Sequence, residues 1–203
     1  MWVEFLVTSL IVVLAPGTGV IYTLAHGITH GAAGSVFAAF GCTLGIIPHI
    51  CAAVFGLAAL LYASALAFEV VKYLGVAYLL YMAWGVLREK GAINIDEKVE
   101  GATKFEIVVK GFLINILNPK LAIFFMAFLP QFIEPTLGSA TLQMMALGAV
   151  FMAMTLLVFV GYGLSAASVR SHVINNPKIL TWLRRTFASA FILLGAKLAL
   201  ADR

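Results

Sequence analysis

Residues 106–130 read EIVVKGFLINILNPKLAIFFMAFLP. Beyond Glu106 and Lys110 near its start, this run is apolar for about the 20 residues that a helix needs to cross a bilayer. Its middle nevertheless holds Asn115, Asn118, Pro119 and Lys120. The apolar residues are continuous rather than alternating, which excludes a barrel strand. A helix is the remaining way to satisfy a backbone in lipid. Proline removes one backbone donor and clashes with the preceding turn, so the helix is expected to bend or unwind at Asn118-Pro119, halfway across.

Five further apolar runs flank this one, at 3–25, 37–62, 66–87, 141–166 and 185–201. The last is short and contains Lys197. Across the 203 residues 63% are hydrophobic and 11% charged, against about 25% charged in a soluble domain. The mean hydropathy of +1.05 agrees. This composition excludes a water-soluble domain, a nucleic-acid binder and a disordered chain. The expectation is an all-α integral membrane protein of six transmembrane helices. The start, Met-Trp-Val-Glu, has no basic n-region, so a retained first span is expected rather than a cleaved signal.

Lysine and arginine set the orientation. Nine of them, Arg88, Lys90, Lys98, Lys104, Lys110, Arg170, Lys178, Arg184 and Arg185, fall in the loops after spans three and five or at their edges. The other side has Lys72 and Arg203. The two basic loops are therefore expected in the cytoplasm and both termini outside. The hydrophilic stretch 88–104 is too short for a domain and reads as a cytoplasmic linker.

The chain repeats itself weakly about that linker. Leu14-Ala15-Pro16-Gly17 matches Leu117-Asn118-Pro119-Lys120 at an offset of 103. Gly41 and Gly56 match Gly148 and Gly163 at 107, and Tyr78-Leu79-Leu80-Tyr81 matches Phe191-Ile192-Leu193-Leu194 at 113. A half with three spans forces its copy to insert upside down, as in many secondary transporters. The expected architecture is a single membrane domain of two inverted three-helix repeats, about 1–88 and 105–203, joined by a linker at about 89–104. Gly41 with Gly45, and Gly27 with Gly31, read as small-residue pairs for close helix packing.

The polar residues inside the spans are the candidates for chemistry. Pro16-Gly17 interrupts the first span as Asn118-Pro119 interrupts the fourth. Broken helices at mid-membrane point half-helix dipoles at a site, an N-terminal end attracting a carboxylate. Lys120 sits near the centre of its span, where a lysine costs about 2.5–3.5 kcal/mol on insertion scales, and no Asp or Glu lies at comparable depth. Two roles are open to it. It pairs with a substrate carboxylate, or it bonds structurally to carbonyls that Pro16 or Pro119 leaves free. Asn115 and Asn118, three apart, share a helix face with each other. Pro16, Gly17, Thr18, Tyr22, Asn115, Asn118, Pro119 and Lys120 form the candidate substrate site. His49, after Pro48, is a candidate proton or cavity residue, with packing as its ordinary alternative.

Other chemistries lack their residues. The sequence has no Walker A loop, no clustered His/Asp/Glu ligand set and no C-x-x-C, so neither a metal nor a cofactor is expected. Cys42 and Cys51 are too few for a disulfide scaffold. On one helix they are about 13 Å apart in rise, too far to bridge.

These residues resemble the lysine/homoserine-threonine exporter family (LysE/RhtB type). The resemblance runs through Pro16-Gly17-Thr18, Pro48-His49, Gly56-Leu57, Tyr73-Leu74-Gly75-Val76-Ala77-Tyr78-Leu79 and Trp84-Gly85. It is strongest over Gly111–Lys120 and Phe128-Leu129-Pro130-Gln131-Phe132. Thr18 stands where that family usually has a second proline, and Gly19 where it has Asn or Asp. The resemblance implies a multi-pass protein of the bacterial inner membrane, exporting amino acids or their derivatives from the cytoplasm on the proton gradient. It implies no enzymatic activity, a small-molecule amino-acid substrate and the lipid bilayer as partners, and no nucleic acid; a homo-oligomer is left open. The alternatives are a transporter of another small solute and a membrane thiol–disulfide carrier. The carrier needs a reactive cysteine in each half, whereas both cysteines fall in the second span.

Overall fold

The computed structural model describes residues 2–15, 17–62, 65–88, 102–134, 136, 138–169 and, beyond these, 181–182, 185–186, 188–189, 192–193, 195–196 and 199–200. Among them there is no strand. The elements in chain order are α1 (Trp2–Leu14), α2 (Thr18–Leu44), α3 (Ile47–Tyr62), α4 (Ala65–Arg88), α5 (Lys104–Ile116), α6 (Pro119–Ile123) and α7 (Ala140–Val169). A π-helical turn, Phe124–Phe128, and a 3-10 turn, Leu129–Phe132, continue α6.

Local sequence explains where these helices start and stop. A residue before proline is disfavoured in helical geometry. Accordingly α1 ends at Leu14, ahead of Pro16, and Asn118 is extended (φ −81, ψ 107) ahead of Pro119. Proline then serves as the first residue of α6, where a missing N–H costs nothing. The start of α5 is fixed by a capping box, in which Thr103 and Glu106 exchange side-chain and backbone bonds.

Gly31 decides the shape of α2. Its φ of 66 and ψ of −162 interrupt the helix, in a region open essentially to glycine alone. Residues 19 and 42 would stand about 35 Å apart along a straight helix. Instead Cys42 Sγ lies 3.9 Å from Gly19 O, so α2 folds back on itself at Gly31. Two stretches, Thr18–Gly56 and Ala140–Ala166, are long and apolar enough to cross a membrane by length and composition. The pair Lys104–Ile116 and Pro119–Phe132, bent by 51°, makes a third if taken as one span. The first stretch contains the fold-back and is therefore not one straight rod.

The arms of α2 pack on α5 and α7 through glycine. A Cβ on Gly41 would meet Val108 O at 2.3 Å, and one on Gly27 would meet Gly163 O at 2.5 Å. Gly27 thus packs helices as its spacing suggested, whereas its partner Gly31 makes a turn. An aromatic cluster closes the core, with Phe151 4.8 Å from Phe124 and 5.1 Å from Phe125 between ring centroids. Large apolar side chains also face outward, among them Phe55, Phe105, Leu117 and Leu157, each exposed by about three quarters. A surface that apolar belongs in lipid.

The linker expected at 89–104 lies almost wholly outside the described residues, as do Pro16, Lys197 and much of 185–201.

Candidate functional site

Two prolines each remove an N–H from a helix, and each leaves the carbonyl four residues earlier without its usual partner. For Pro119 that carbonyl belongs to Asn115, which keeps a tighter backbone bond from Asn118 N at 3.1 Å, and for Pro16 to Val12. In both cases a side chain from another helix adds a donor. His49 Nε2 lies 2.9 Å from Asn115 O, as an N–H donor to a carbonyl that can only accept. Lys120 Nζ donates to Val12 O at 3.0 Å and to Ala15 O at 3.1 Å. Tyr162 Oη donates to Leu14 O at 3.0 Å. The open end of α1 is therefore held by α6 and α7.

Lys120 brings the two helix breaks together. Its own backbone N–H donates to Asn118 Oδ1, which caps α6. Its ammonium stands beside Gly17, whose Cβ would meet Nζ at 3.1 Å. Gly17 is the N-cap of α2 and offers no side-chain acceptor, so the first-turn N–H groups of α2 have no side-chain cap from their own N-cap residue. Between the breaks lies a cavity of about 10 Å³, room for a single water. Its walls include Gly19, Asn115, Asn118, Lys120, Phe151 and Phe159. One side offers donors, namely an ammonium and the positive end of a helix; the opposite polarity comes from Asn115.

Asn115 is buried, and its Nδ2 donates to Cys42 O at 2.7 Å. Its Oδ1 has no hydrogen-bond partner among the described residues. That oxygen approaches Gly19 so closely that a Cβ there would meet it at 2.7 Å. The two departures noted in the sequence, Thr18 and Gly19, thus fall in the first turn of α2, and Gly19 makes the approach of Asn115 possible.

The candidate residues divide clearly. Gly17, Asn115, Asn118 and Lys120 meet at the cavity. Pro119 opens α6 with its ring exposed. Thr18 is exposed and Tyr22 ties α2 to α5, its hydroxyl donating to Ile107 O at 2.8 Å; neither lines the cavity. His49 stacks on Phe125 and caps α5 rather than lining the cavity. Pro16 lies outside the described residues.

Sequence reasoning missed Thr155, Phe159 and Tyr162. Their spacing of four and three puts them on one face of α7, a face legible once a hydroxyl in an apolar span is taken as a signal. It also missed His26, which is buried edge-on against Tyr22 with neither ring nitrogen hydrogen-bonded among the described residues. Both cysteines are free, Cys42 buried and Cys51 exposed.

Comparison with known proteins adds the following. A family model described as LysE type translocator matches residues 10–202. A homoserine/homoserine lactone efflux protein of Salmonella typhimurium is 34% identical over 200 residues, 98% of this chain and 96% of its own. A membrane protein of Vibrio cholerae is 32% identical over 98% of this chain and 97% of its own. A leucine efflux protein of an Enterobacter species is 29% identical over 77% of each chain. No solved structure matches.

Proposed function

The chain belongs to the LysE family of translocators, and from that premise we propose that it is a secondary exporter of amino acids or amino-acid derivatives. It moves them out of the cytoplasm across the bacterial inner membrane, with the proton gradient as the driving force. Six spans in two inverted three-helix repeats, about 1–88 and 105–203, with both termini outside, complete the proposal. The paired helix breaks at Gly17 and Asn118 support this arrangement, as do the relatives named for efflux of homoserine, its lactone and leucine.

The observation that carries the functional reading is the position of Lys120 Nζ across the break in the first span. An amino acid brings a carboxylate that must shed water to enter this site, and only a cation or oriented donors offset that cost. An ammonium has three N–H donors; Val12 O and Ala15 O take two. The third, with the uncapped N–H groups of α2, receives the carboxylate. A carboxylate is a stronger acceptor than a carbonyl, so it draws Lys120 away from α1. The present cavity has room for no more than about one water, so the walls must part to admit an amino acid, and α1 is the wall that Lys120 releases.

The same two bonds favour a second reading, a lysine that only caps α1. Lys120→Ala and Lys120→Arg, reconstituted in liposomes beside the native protein, decide between them. Loss of homoserine or leucine flux in Lys120→Ala, with little recovery in Lys120→Arg because the planar fork is larger and differently placed, supports the site. Near-native flux in Lys120→Ala makes the lysine structural and moves the site elsewhere.

A further inference from the structure

A buried oxygen without a donor is rare in a folded protein and calls for a reason. Asn115 Oδ1 is one, on a side chain only 2% exposed. Its direction is fixed by chemistry. The Cys42 carbonyl can only accept, so the amide nitrogen must face it, at 2.7 Å. The oxygen is thereby turned toward Gly19, at the wall of the cavity that Gly17, Gly19, Asn115 and Lys120 line together. The cavity has two poles. Lys120 Nζ and the helix N-terminus offer donors to an acyl oxygen. Asn115 Oδ1 offers an acceptor and lacks a donor among the described residues.

A molecule that satisfies both poles carries an amino group and an acyl oxygen, as the amino acids of the exporter reading do. We infer that Asn115 Oδ1 receives the amino group of the transported solute, so that a free α-amine is required for transport. The inference rests on the exporter reading above and adds which atom reads which group. Gly19 is integral to it, since a side chain there would occupy the space in front of the oxygen. The rest of the wall is mostly apolar, with Val20, Phe151 and Phe159, and the hydroxyl of Thr155 already donates to Phe151 O. The requirement therefore falls on the amine and the acyl oxygen rather than on the side chain. A site built around an N–H group rejects an analogue without one far more strongly than it rejects a change in apolar bulk.

The test is competition against labelled homoserine flux in liposomes containing the full chain. The competitors are homoserine lactone and two compounds that lack the amine, 4-hydroxybutyrate and γ-butyrolactone. In the native protein each amine-free compound is expected to compete about 10⁴-fold less well than its amino counterpart. In Asn115→Leu, which keeps the branched shape and removes the acceptor together with the donor to Cys42 O, that ratio is expected to fall below about threefold. The ratio compares ligands on one preparation, so partial folding does not change it. Equal competition by amine-free compounds in the native protein overturns the inference, whether or not the variant folds. A native-like ratio in Asn115→Leu also overturns it and leaves the oxygen bound to water alone. Absence of any homoserine or leucine flux in the native protein removes the exporter reading, and this inference falls with it. Flux without amine preference removes this inference alone.

Discussion

Replacing Gly41 by alanine tests the contact on which the site depends. A Cβ at Gly41 would lie 2.3 Å from Val108 O, 2.8 Å from Val108 Cα and 2.9 Å from its carbonyl carbon, where ordinary contact begins at 3.4 Å. All three are backbone atoms, so no rotamer change relieves the clash, and α2 and α5 must part by about 1 Å. Overpacking of that kind costs about 1–3 kcal/mol. One residue along, the Asn115 Nδ2 bond to Cys42 O spans the same interface at 2.7 Å. A shift of that size breaks it, at about 0.6 kcal/mol for an interhelical bond in a membrane protein and up to about 1.7. Together these lower stability by roughly 2–4 kcal/mol. At about 2–4 °C per kcal/mol for a chain of this size, the melting temperature falls by roughly 5–15 °C. Gly56→Ala is the internal control. Nothing lies within 4 Å of a Cβ there, and alanine stabilises a helix interior by about 0.5–1 kcal/mol over glycine. Thermal denaturation of both variants in one detergent therefore gives shifts of opposite sign. A Gly41→Ala protein that melts with the native one refutes the α2–α5 contact and, with it, the orientation argued for Asn115.

Other substitutions probe the remaining joints. Gly31→Ala forces a side chain into a backbone region that costs about 1–3 kcal/mol; because no atom would touch the new methyl, the loss in melting temperature is the backbone's alone, and unchanged stability refutes the fold-back of α2. His49→Phe keeps a ring against Phe125 but removes the donor to Asn115 O, at about 1 kcal/mol. His49→Gln restores an N–H and part of the stability, and equal melting of the two variants removes the capping role. Tyr162→Phe deletes the hydroxyl on Leu14 O; about 1 kcal/mol of local stability is lost, read as faster amide hydrogen exchange in α1. Exchange unchanged from native shows that α7 does not hold that end.

Composition alone decided the solvent, because 63% apolar residues leave too little polar surface for water. Local chemistry decided the breaks. A proline acts on its own helix, through a missing N–H and a clash with the turn before it. Pro16 and Pro119 therefore marked from sequence where α1 and α5 stop and which carbonyls lose partners. Sequence also left Lys120 with two roles, a ligand for carboxylate or a cap for freed carbonyls, and could choose neither. The donors to those carbonyls come from far along the chain. Lys120 reaches Val12 across 108 residues, Tyr162 reaches Leu14 across 148, and His49 reaches Asn115 across 66. Such pairings depend on how helices are stacked, and apolar spans rich in glycine permit many stackings. The same limit separated Gly27 from Gly31. Both suited close packing by spacing, yet only the folded chain put one against Gly163 and turned the backbone at the other. The orphaned oxygen of Asn115 was also beyond the sequence, since an unsatisfied atom is defined by every neighbour that fails to reach it.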